Sequence, residues 1–77
     1  MKDLEFTILI YPDEGGGYWS DVPALRGCGS QGETVEETIE MTKDAIQGYL
    51  TSLIKHGEPI PDEKGMVCMV YKVTVPV

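Results

Sequence analysis

The stretch between Thr34 and Gly57 is the feature that most constrains the fold of this 77-residue chain. Thr34 and Glu37 have the spacing of a capping box, and Gly57 is a typical helix stop. Mostly apolar residues recur between them at spacings of three, four and one, as on one face of an amphipathic helix. They are Val35, Ile39, Thr42, Ala45, Ile46, Tyr49, Leu50, Leu53 and Ile54. The pattern predicts a helix of about 23 residues, about 34 Å long.

The opposite side of this helix is polar, which indicates that it faces solvent. Its residues are Glu36, Glu37, Glu40, Lys43, Asp44 and Gln47. Gly48 lies within the helix and lowers its stability by roughly 1 kcal/mol relative to Ala, unless it permits close packing. The helix therefore buries one face only, and a sheet is the expected partner for that face.

Segments on both sides of the helix have the patterns of strands. Leu4–Tyr11 alternates with a period of two, residues 12–17 are rich in turn-forming Pro and Gly, and Tyr18–Val22 returns as the second strand of a hairpin. Cys28–Gln31 is predicted as a third strand beside the hairpin, and Met66–Val75 as the final strand. We predict an α+β fold in β-β-β-α-β order, with a three-stranded antiparallel sheet plus a final strand and the helix packed on one face.

Size and charge restrict the class of protein further. Residues 1–77 are expected to form a single domain, because a chain this short cannot build two cores. The net charge of -7 repels phosphate backbones and anionic lipid, whereas it favours encounter with a basic protein. No signal peptide and no apolar run of about 20 residues is present, so we expect a cytoplasmic protein. Cys28 and Cys68 lack metal-ligand spacing and are interpreted as reduced packing residues.

No residue pattern predicts catalysis, a metal site or a cofactor. The single histidine, His56, lies at the end of the helix without a nucleophile beside it, and is expected to be exposed there. The glycines at 15–17 lack the Lys-Ser/Thr and helix start of a phosphate-binding loop. Two-metal nuclease chemistry needs several converging carboxylates, but the predicted strands offer only Glu5 and Asp21. We therefore expect a binding protein and not an enzyme.

A combination of short motifs over about residues 4–61 resembles the HicB-like antitoxin family. The motifs are a Gly-rich hairpin, a Pro-x-x-x-Gly-Cys turn, a Gly-x-Thr-x-Glu-Glu helix start and a Gly-Glu-Pro-Ile-Pro segment. The residues that carry them are Pro12-Asp13-Glu14, Gly16-Gly17-Tyr18, Val22-Pro23, Leu25, Gly27-Cys28, Gln31-Gly32, Thr34, Glu36-Glu37, Ala45-Ile46 and Gly57-Glu58-Pro59-Ile60-Pro61.

This resemblance implies a reduced RNase H-like fold and a role in silencing HicA, a small basic ribonuclease toxin of the double-stranded-RNA-binding fold. The chain departs from the common pattern at Arg26, Thr38 and Met41, where Pro, Ala and Asn are frequent. Many HicB proteins also carry a C-terminal ribbon-helix-helix or helix-turn-helix segment. The sequence stops at Val77, so we expect no such segment and no direct binding of DNA or RNA.

Two functions are compatible with these features. The first is an antitoxin that neutralises a HicA-like ribonuclease, and the second is a solitary HicB-like module that forms homo-oligomers without a toxin. For the first, we predict that Asp13, Glu14 and Asp21 supply charge and that Tyr18 or Trp19 is the anchor. The alternative for these residues is that Trp19 belongs to the core and the acids only make the turn soluble.

The face of the sheet away from the helix is expected to need a partner of its own. The strand pattern places apolar groups there, namely Leu9, Tyr11, Cys68 and Val70. An exposed apolar patch of this kind usually marks an interface. A homodimer or homotetramer is therefore predicted.

Overall fold

The computed structural model describes residues 4–61 and 72–76, and its architecture confirms the predicted α+β class. Three strands, β1 (Leu9–Pro12), β2 (Tyr18–Asp21) and β3 (Gln31–Gly32), form an antiparallel sheet in the order β1-β2-β3. One helix, α1 (Val35–Lys55), follows them. The described strands and helix establish the α+β class. The reduced RNase H-like fold that the resemblance implies stays a prediction.

The β1–β2 hairpin has a defined register, in which Tyr11 lies opposite Trp19 and Ile10 lies opposite Ser20. Its turn is closed by the Asp13 N–H, which donates to the Gly17 carbonyl at 3.0 Å. Gly17 has φ of 76°, and a Cβ there would lie 2.7 Å from the Gly32 carbonyl oxygen. Any side chain here would strain the backbone at this φ and collide with the Gly32 carbonyl oxygen. Only glycine therefore allows the turn to pack against strand β3.

Strand β3 starts later than the predicted Cys28–Gln31 segment, although backbone bonds already join that segment to β2 and to Val22, the residue after β2. The Val22 N–H donates to the Cys28 carbonyl at 3.0 Å, and the Ser20 N–H donates to the Ser30 carbonyl at 2.8 Å. The Ser30 N–H instead donates to the Ser20 side-chain oxygen, at 2.9 Å. Because the Ser20 side chain accepts this bond in place of a backbone carbonyl, the regular pattern of strand hydrogen bonds begins only at Gln31.

Both predicted ends of helix α1 are confirmed. The Glu37 N–H donates to the Thr34 hydroxyl oxygen at 3.0 Å, while the Glu37 carboxylate accepts from the Glu33 N–H at 2.9 Å. At the other end Gly57 has φ of 68° and its N–H donates to the Ile54 carbonyl. These bonds satisfy backbone groups that a helix end leaves free, which is why the termini follow from local sequence.

The buried face of the helix differs from the prediction at its ends. Val35 and Ile54 were placed on the core side, but they are exposed, Ile54 by 66%. Thr42 was predicted on that side and is fully buried, and so is Thr38. Thr38 was not among the predicted core residues, because a threonine contributes little to an apolar pattern; here its hydroxyl donates to the Thr34 carbonyl at 2.7 Å and needs no other partner.

The core lies between helix α1 and the segment that connects β2 to β3. Val22, Leu25 and Cys28 are its buried apolar residues. Turn bonds shape this segment, since the Leu25 N–H donates to the Val22 carbonyl and the Cys28 N–H to the Leu25 carbonyl, each at 3.0 Å. Half-buried side chains pack around them: Phe6, Ile8, Ala45, Ile46, Tyr49 and Leu50. The N-terminal stretch thus contributes to the core before β1 begins.

A chain of hydrogen-bonded hydroxyl groups connects the helix to the sheet. The Ser20 and Thr42 side-chain oxygens lie 2.6 Å apart, and the Thr42 hydroxyl donates to the Thr38 carbonyl at 2.6 Å. The Ser20 oxygen also accepts from the Ser30 N–H at 2.9 Å, and the Ser20 hydroxyl can donate to the Ser30 carbonyl oxygen at 3.3 Å, so either hydroxyl can be the donor between Ser20 and Thr42. The chain connects Ser30, just before β3, with strand β2 and helix α1 in one run of bonds.

The predicted final strand, Met66–Val75, is not confirmed. Residues 66–71, which include Cys68 and Val70, lie outside the described residues. Residues 72–75 are exposed and form no strand. The described sheet therefore consists of β1, β2 and β3.

Two glycine substitutions are expected to change stability in opposite directions. A Cβ at Gly32 would lie 2.8 Å from the Thr38 nitrogen and 2.9 Å from its hydroxyl oxygen, so Gly32→Ala must push the helix from the sheet. A Cβ at Gly48 meets none of the described residues within 4 Å, so we expect Gly48→Ala to gain about 1 kcal/mol of helix propensity. Urea unfolding of both variants is the measurement, and a Gly32→Ala protein as stable as the wild type would contradict the close approach.

The chain of hydroxyl groups predicts that removing the Ser20 hydroxyl lowers the free energy of unfolding more than removing the Thr42 hydroxyl. Ser20→Ala leaves the Ser30 N–H without its partner, so we expect a loss of about 1–3 kcal/mol in the free energy of unfolding. Thr42→Val keeps the shape and leaves the Ser20–Ser30 bond in place, so it should cost less. Equal losses in thermal or urea unfolding would contradict the greater importance of the Ser20–Ser30 bond.

Candidate partner-binding surfaces

Adjacent residues of strand β2 point to opposite faces of the sheet. Ser20 faces helix α1, because its hydroxyl bonds to Thr42. Trp19 and Asp21, its neighbours, therefore point to the outer face, and Tyr18 points to the helix side. The two candidate anchors, Tyr18 and Trp19, serve different surfaces of the molecule.

The first surface is an acidic cleft of about 360 Å³ between the hairpin turn and the start of helix α1. Three carboxylates line it, from Asp13, Glu33 and Glu37, and no lysine or arginine is among its described lining residues. Tyr18 and Met41 supply its less polar part. Carboxylates around an aromatic ring suit a basic side chain, which needs charge neutralisation for its head and apolar contact for its stem.

The second surface is the outer face of the sheet, where two aromatic rings are stacked. The Tyr11 and Trp19 ring centroids lie 4.3 Å apart with 18° between the planes. Tyr11 is 38% exposed and Trp19 is 43% exposed, so the alternative in which Trp19 belongs to the core is wrong. Gln31 lies opposite Trp19 and also lines the acidic cleft, and Leu9 lies opposite Asp21.

The five predicted contact residues are thus divided between these surfaces. Asp13 and Tyr18 line the acidic cleft, and Glu14 is exposed in the adjoining turn. Trp19 and Asp21 lie on the outer face. The prediction grouped them because they are close in sequence, but the pleat of the strand separates them.

Sequence reasoning missed three residues of these surfaces. Glu33 was not considered, and Glu37 was considered only at the helix start and on its polar side, because the position of both beside Asp13 depends on how the helix packs. Tyr11 was placed on the outer face but not paired with Trp19. The five residues between Pro12 and Tyr18 are a signal for that pairing, since the length of a hairpin turn determines which residues lie opposite each other.

The residues that depart from the family pattern have different positions. Thr38 is buried against β3, Met41 lines the acidic cleft, and Arg26 is exposed in the segment between β2 and β3. Met41 is 47% exposed. Of the three, Met41 is therefore the one that a partner at the cleft would contact.

Other candidate features offer no second centre of chemistry. His56 is exposed and its Nδ1 donates to the Ser52 carbonyl at 2.8 Å, in agreement with its predicted place at the helix end. Across residues 4–61 and 72–76, no three His, Cys, Asp or Glu side chains are grouped so as to hold a metal ion. Nor does this part of the chain contain a helix with the length and apolarity needed to cross a bilayer. A groove of about 1070 Å³ beside residues 4–8 is lined by apolar side chains on one side and by polar helix residues such as Glu40, Lys43 and Asp44 on the other.

Cys28 is a buried, unpaired thiol, as predicted. Burial raises its pKa above the ordinary value, and the nearby Asp21 carboxylate adds to the increase. Both effects disfavour the thiolate, which is the reactive form. Cys28 is therefore a packing residue and not a nucleophile.

The raised pKa predicts slow alkylation of Cys28 in the folded protein. In a Cys68→Ser variant, which leaves one thiol, iodoacetamide at pH 8.5 should modify the native protein much more slowly than the urea-unfolded protein. The neutral thiol also stabilises the fold below its unfolded-state pKa, and this contribution is lost as the pH rises through the folded-state pKa. Equal rates of native and unfolded alkylation, followed by mass spectrometry, would contradict the burial of this thiol.

Comparison with known proteins gives one consistent result. The family model described as "HicB_like antitoxin of bacterial toxin-antitoxin system" matches residues 6–76. A UPF0150 protein of Thermoplasma acidophilum is 47% identical over 58 residues, which are 75% of this chain and 84% of that protein. A UPF0150 protein of Synechocystis is 43% identical over 58 residues, covering 75% and 73% of the two chains.

One of the similar proteins has a name that states a function. The protein named Antitoxin HicB 1 of Photorhabdus laumondii is 31% identical over 61 residues, which are 79% of this chain but only 39% of that protein. The motifs predicted this resemblance, and the family model extends it through most of the chain. The chain belongs to the HicB-like antitoxin family of bacterial toxin-antitoxin systems.

Proposed function

We propose that this chain neutralises a HicA-like, mRNA-cleaving ribonuclease toxin by protein–protein contact. The observation that carries the proposal is the acidic cleft, which has three carboxylates and no basic residue among its described lining. A ribonuclease holds RNA phosphates with a basic surface. The cleft and the net charge of -7 are complementary to such a surface, and membership of an antitoxin family supports the same role.

Inhibition would follow from competition for the same basic groups. The Asp13 and Glu33 carboxylates can pair with lysine or arginine side chains that otherwise hold RNA phosphates. The Tyr18 ring offers apolar and cation–π contact to such a side chain. Long-range attraction between the acidic chain and a basic toxin would also speed their encounter.

The contact residues that we assign to the toxin are Asp13, Glu14 and Tyr18. They share the turn and the cleft side of the sheet. Trp19 and Asp21, which the sequence grouped with them, lie on the other face, so a partner seated in the cleft would not reach both sets. We therefore assign those two residues to a different contact.

The role that we propose is binding alone, in the cytoplasm, without catalysis and without direct contact to DNA or RNA. The acidic charge supports this view, because carboxylates repel phosphates. We also propose that the chain forms a homodimer or homotetramer, since one helix covers only one face of the sheet. A solitary homo-oligomeric module without a toxin is the second candidate, and the exposed Tyr11–Trp19 stack favours it.

Co-expression separates these two candidates. The chain is produced together with the small basic protein encoded beside its gene, the complex is purified, and RNA cleavage is measured with and without the chain. We expect a stoichiometric complex and loss of cleavage at an equimolar ratio. Cleavage that continues in excess of the folded chain, or the absence of a basic neighbour, would contradict the antitoxin role and favour the solitary module.

Charge reversal at the turn is expected to slow toxin binding. Asp13→Lys/Glu14→Lys should lower the association rate by about tenfold or more at low ionic strength, since it replaces attraction with repulsion at the contact. Glu5→Lys/Glu58→Lys is the matched control, because it changes the net charge equally at exposed positions outside the cleft. Surface plasmon resonance measures both rates, and circular dichroism checks the fold. Equal slowing by both double variants would show that the cleft is not the contact.

A further inference from the structure

Two of the three carboxylates in the acidic cleft are not compensated by any group in the part of the chain that the structure describes. The Glu37 carboxylate accepts the Glu33 N–H and so belongs to the helix cap. The Asp13 and Glu33 carboxylates accept no hydrogen bond and form no ion pair within residues 4–61 and 72–76. Lys43, the nearest basic residue along the helix, pairs with Glu40 at 3.5 Å instead. A positive charge in the cleft must therefore come from a partner.

The spacing of these carboxylates indicates the shape of that positive group. Three of them line the cleft, yet the described side chains include no group of three that could hold a metal ion. A small ion would therefore not neutralise them together. A long basic side chain suits them better, because its head carries several donors and its stem can reach into a cleft of about 360 Å³. Such a stem needs apolar surface inside the cleft.

Met41 provides apolar surface at this position. It lines the cleft from helix α1, one helical turn after Glu37 and on the same side of the helix, while Tyr18 lines the cleft from strand β2. Met41 is 47% exposed, so its apolar surface remains in water until a partner covers it. The unbranched thioether side chain can adapt its shape to an aliphatic stem. Met41 is thus suited to short-range contact with a basic side chain whose head the carboxylates attract.

We propose that Met41 determines how long a basic partner stays bound. Together with Tyr18 it packs against the aliphatic stem of one long basic side chain, while the Asp13 and Glu33 carboxylates bind the head of that side chain. The inference rests on the proposed function of the cleft and adds to it a residue that determines specificity.

The proposal separates the two rates of binding. Charges act over long distances and set the association rate, whereas an apolar contact exists only in the complex and acts on the dissociation rate. A basic protein without a long side chain at this point is attracted by the carboxylates but does not contact Met41, so it dissociates quickly. Selection among basic partners therefore depends on Met41 more than on the charge of the cleft.

Two small cations with the same head and different stems test the contact without a toxin. The whole chain is titrated with n-butylguanidinium and with methylguanidinium at equal ionic strength, and the NMR signals of Glu33 and Met41 are followed. We expect the wild type to bind n-butylguanidinium more tightly by about threefold or more, because its longer stem covers apolar surface. Met41→Gln keeps a similar length and helix propensity but has a polar end, so it should lose this preference, and Met41→Leu should restore most of it. Equal binding of both cations by the wild type, or a preference that persists in Met41→Gln, overturns the inference.

Binding kinetics with the small basic protein encoded beside the gene test the consequence for the complex. Surface plasmon resonance should show that Met41→Gln dissociates faster by about fivefold or more, with an association rate within about twofold of the wild type. Ile54→Gln is the matched control, because it removes an apolar side chain that is 66% exposed on the same helix but outside the cleft, and it should leave both rates unchanged. Circular dichroism checks the fold of each variant.

The outcomes distinguish this inference from the proposed function. A basic protein that does not bind the wild type contradicts the antitoxin role, and the titration with the two cations still decides the contact at Met41. A toxin that binds the wild type and leaves Met41→Gln at the same dissociation rate overturns the role of Met41 alone. Equal acceleration by Met41→Gln and Ile54→Gln overturns it as well.

Discussion

The architecture depends on how closely helix α1 approaches strand β3. Gly32 has no side chain, so the backbone of Thr38 can lie where a Cβ would collide with it. The buried hydroxyls of Ser20 and Thr42 then complete the contact, since compact polar groups can bond across a gap that larger apolar side chains would widen. The helix start is thereby fixed beside the hairpin turn. Without this approach Glu33 and Glu37 would not face Asp13, and no acidic cleft would exist.

Local signals explain which parts of the fold the sequence predicts. The caps at Thr34 and Gly57 act within a few residues, so their spacing is enough to define both ends of α1. The start of β3 is different, because the Ser20 side chain takes the Ser30 N–H and interrupts the ladder. Thr38 is likewise buried through a bond to the Thr34 carbonyl, which a pattern of apolar residues does not contain, whereas Thr42 belonged to the predicted face.

The candidate site was harder to predict because it depends on three-dimensional neighbours. Asp13 and Tyr18 were identified from their chemistry, whereas their relation to Glu37 follows only from the position of the helix. Tyr18 and Trp19 were treated as alternatives for one contact. Their opposite orientations instead give each a separate surface, one with carboxylates and one with a stacked aromatic pair. The charge of the chain is therefore distributed unevenly, which its total of -7 does not reveal.

The hairpin turn has a consequence for how this chain can vary. The five residues between Pro12 and Tyr18 determine that Tyr11 lies opposite Trp19. Inserting or deleting one residue in the turn, with the pairing shifted by one position, would direct Trp19 towards the helix and Tyr18 outward. The aromatic stack and the floor of the cleft would be lost together. Turn length is thus a constraint on both surfaces at once, and insertions here should be tolerated far less well than in an ordinary exposed loop.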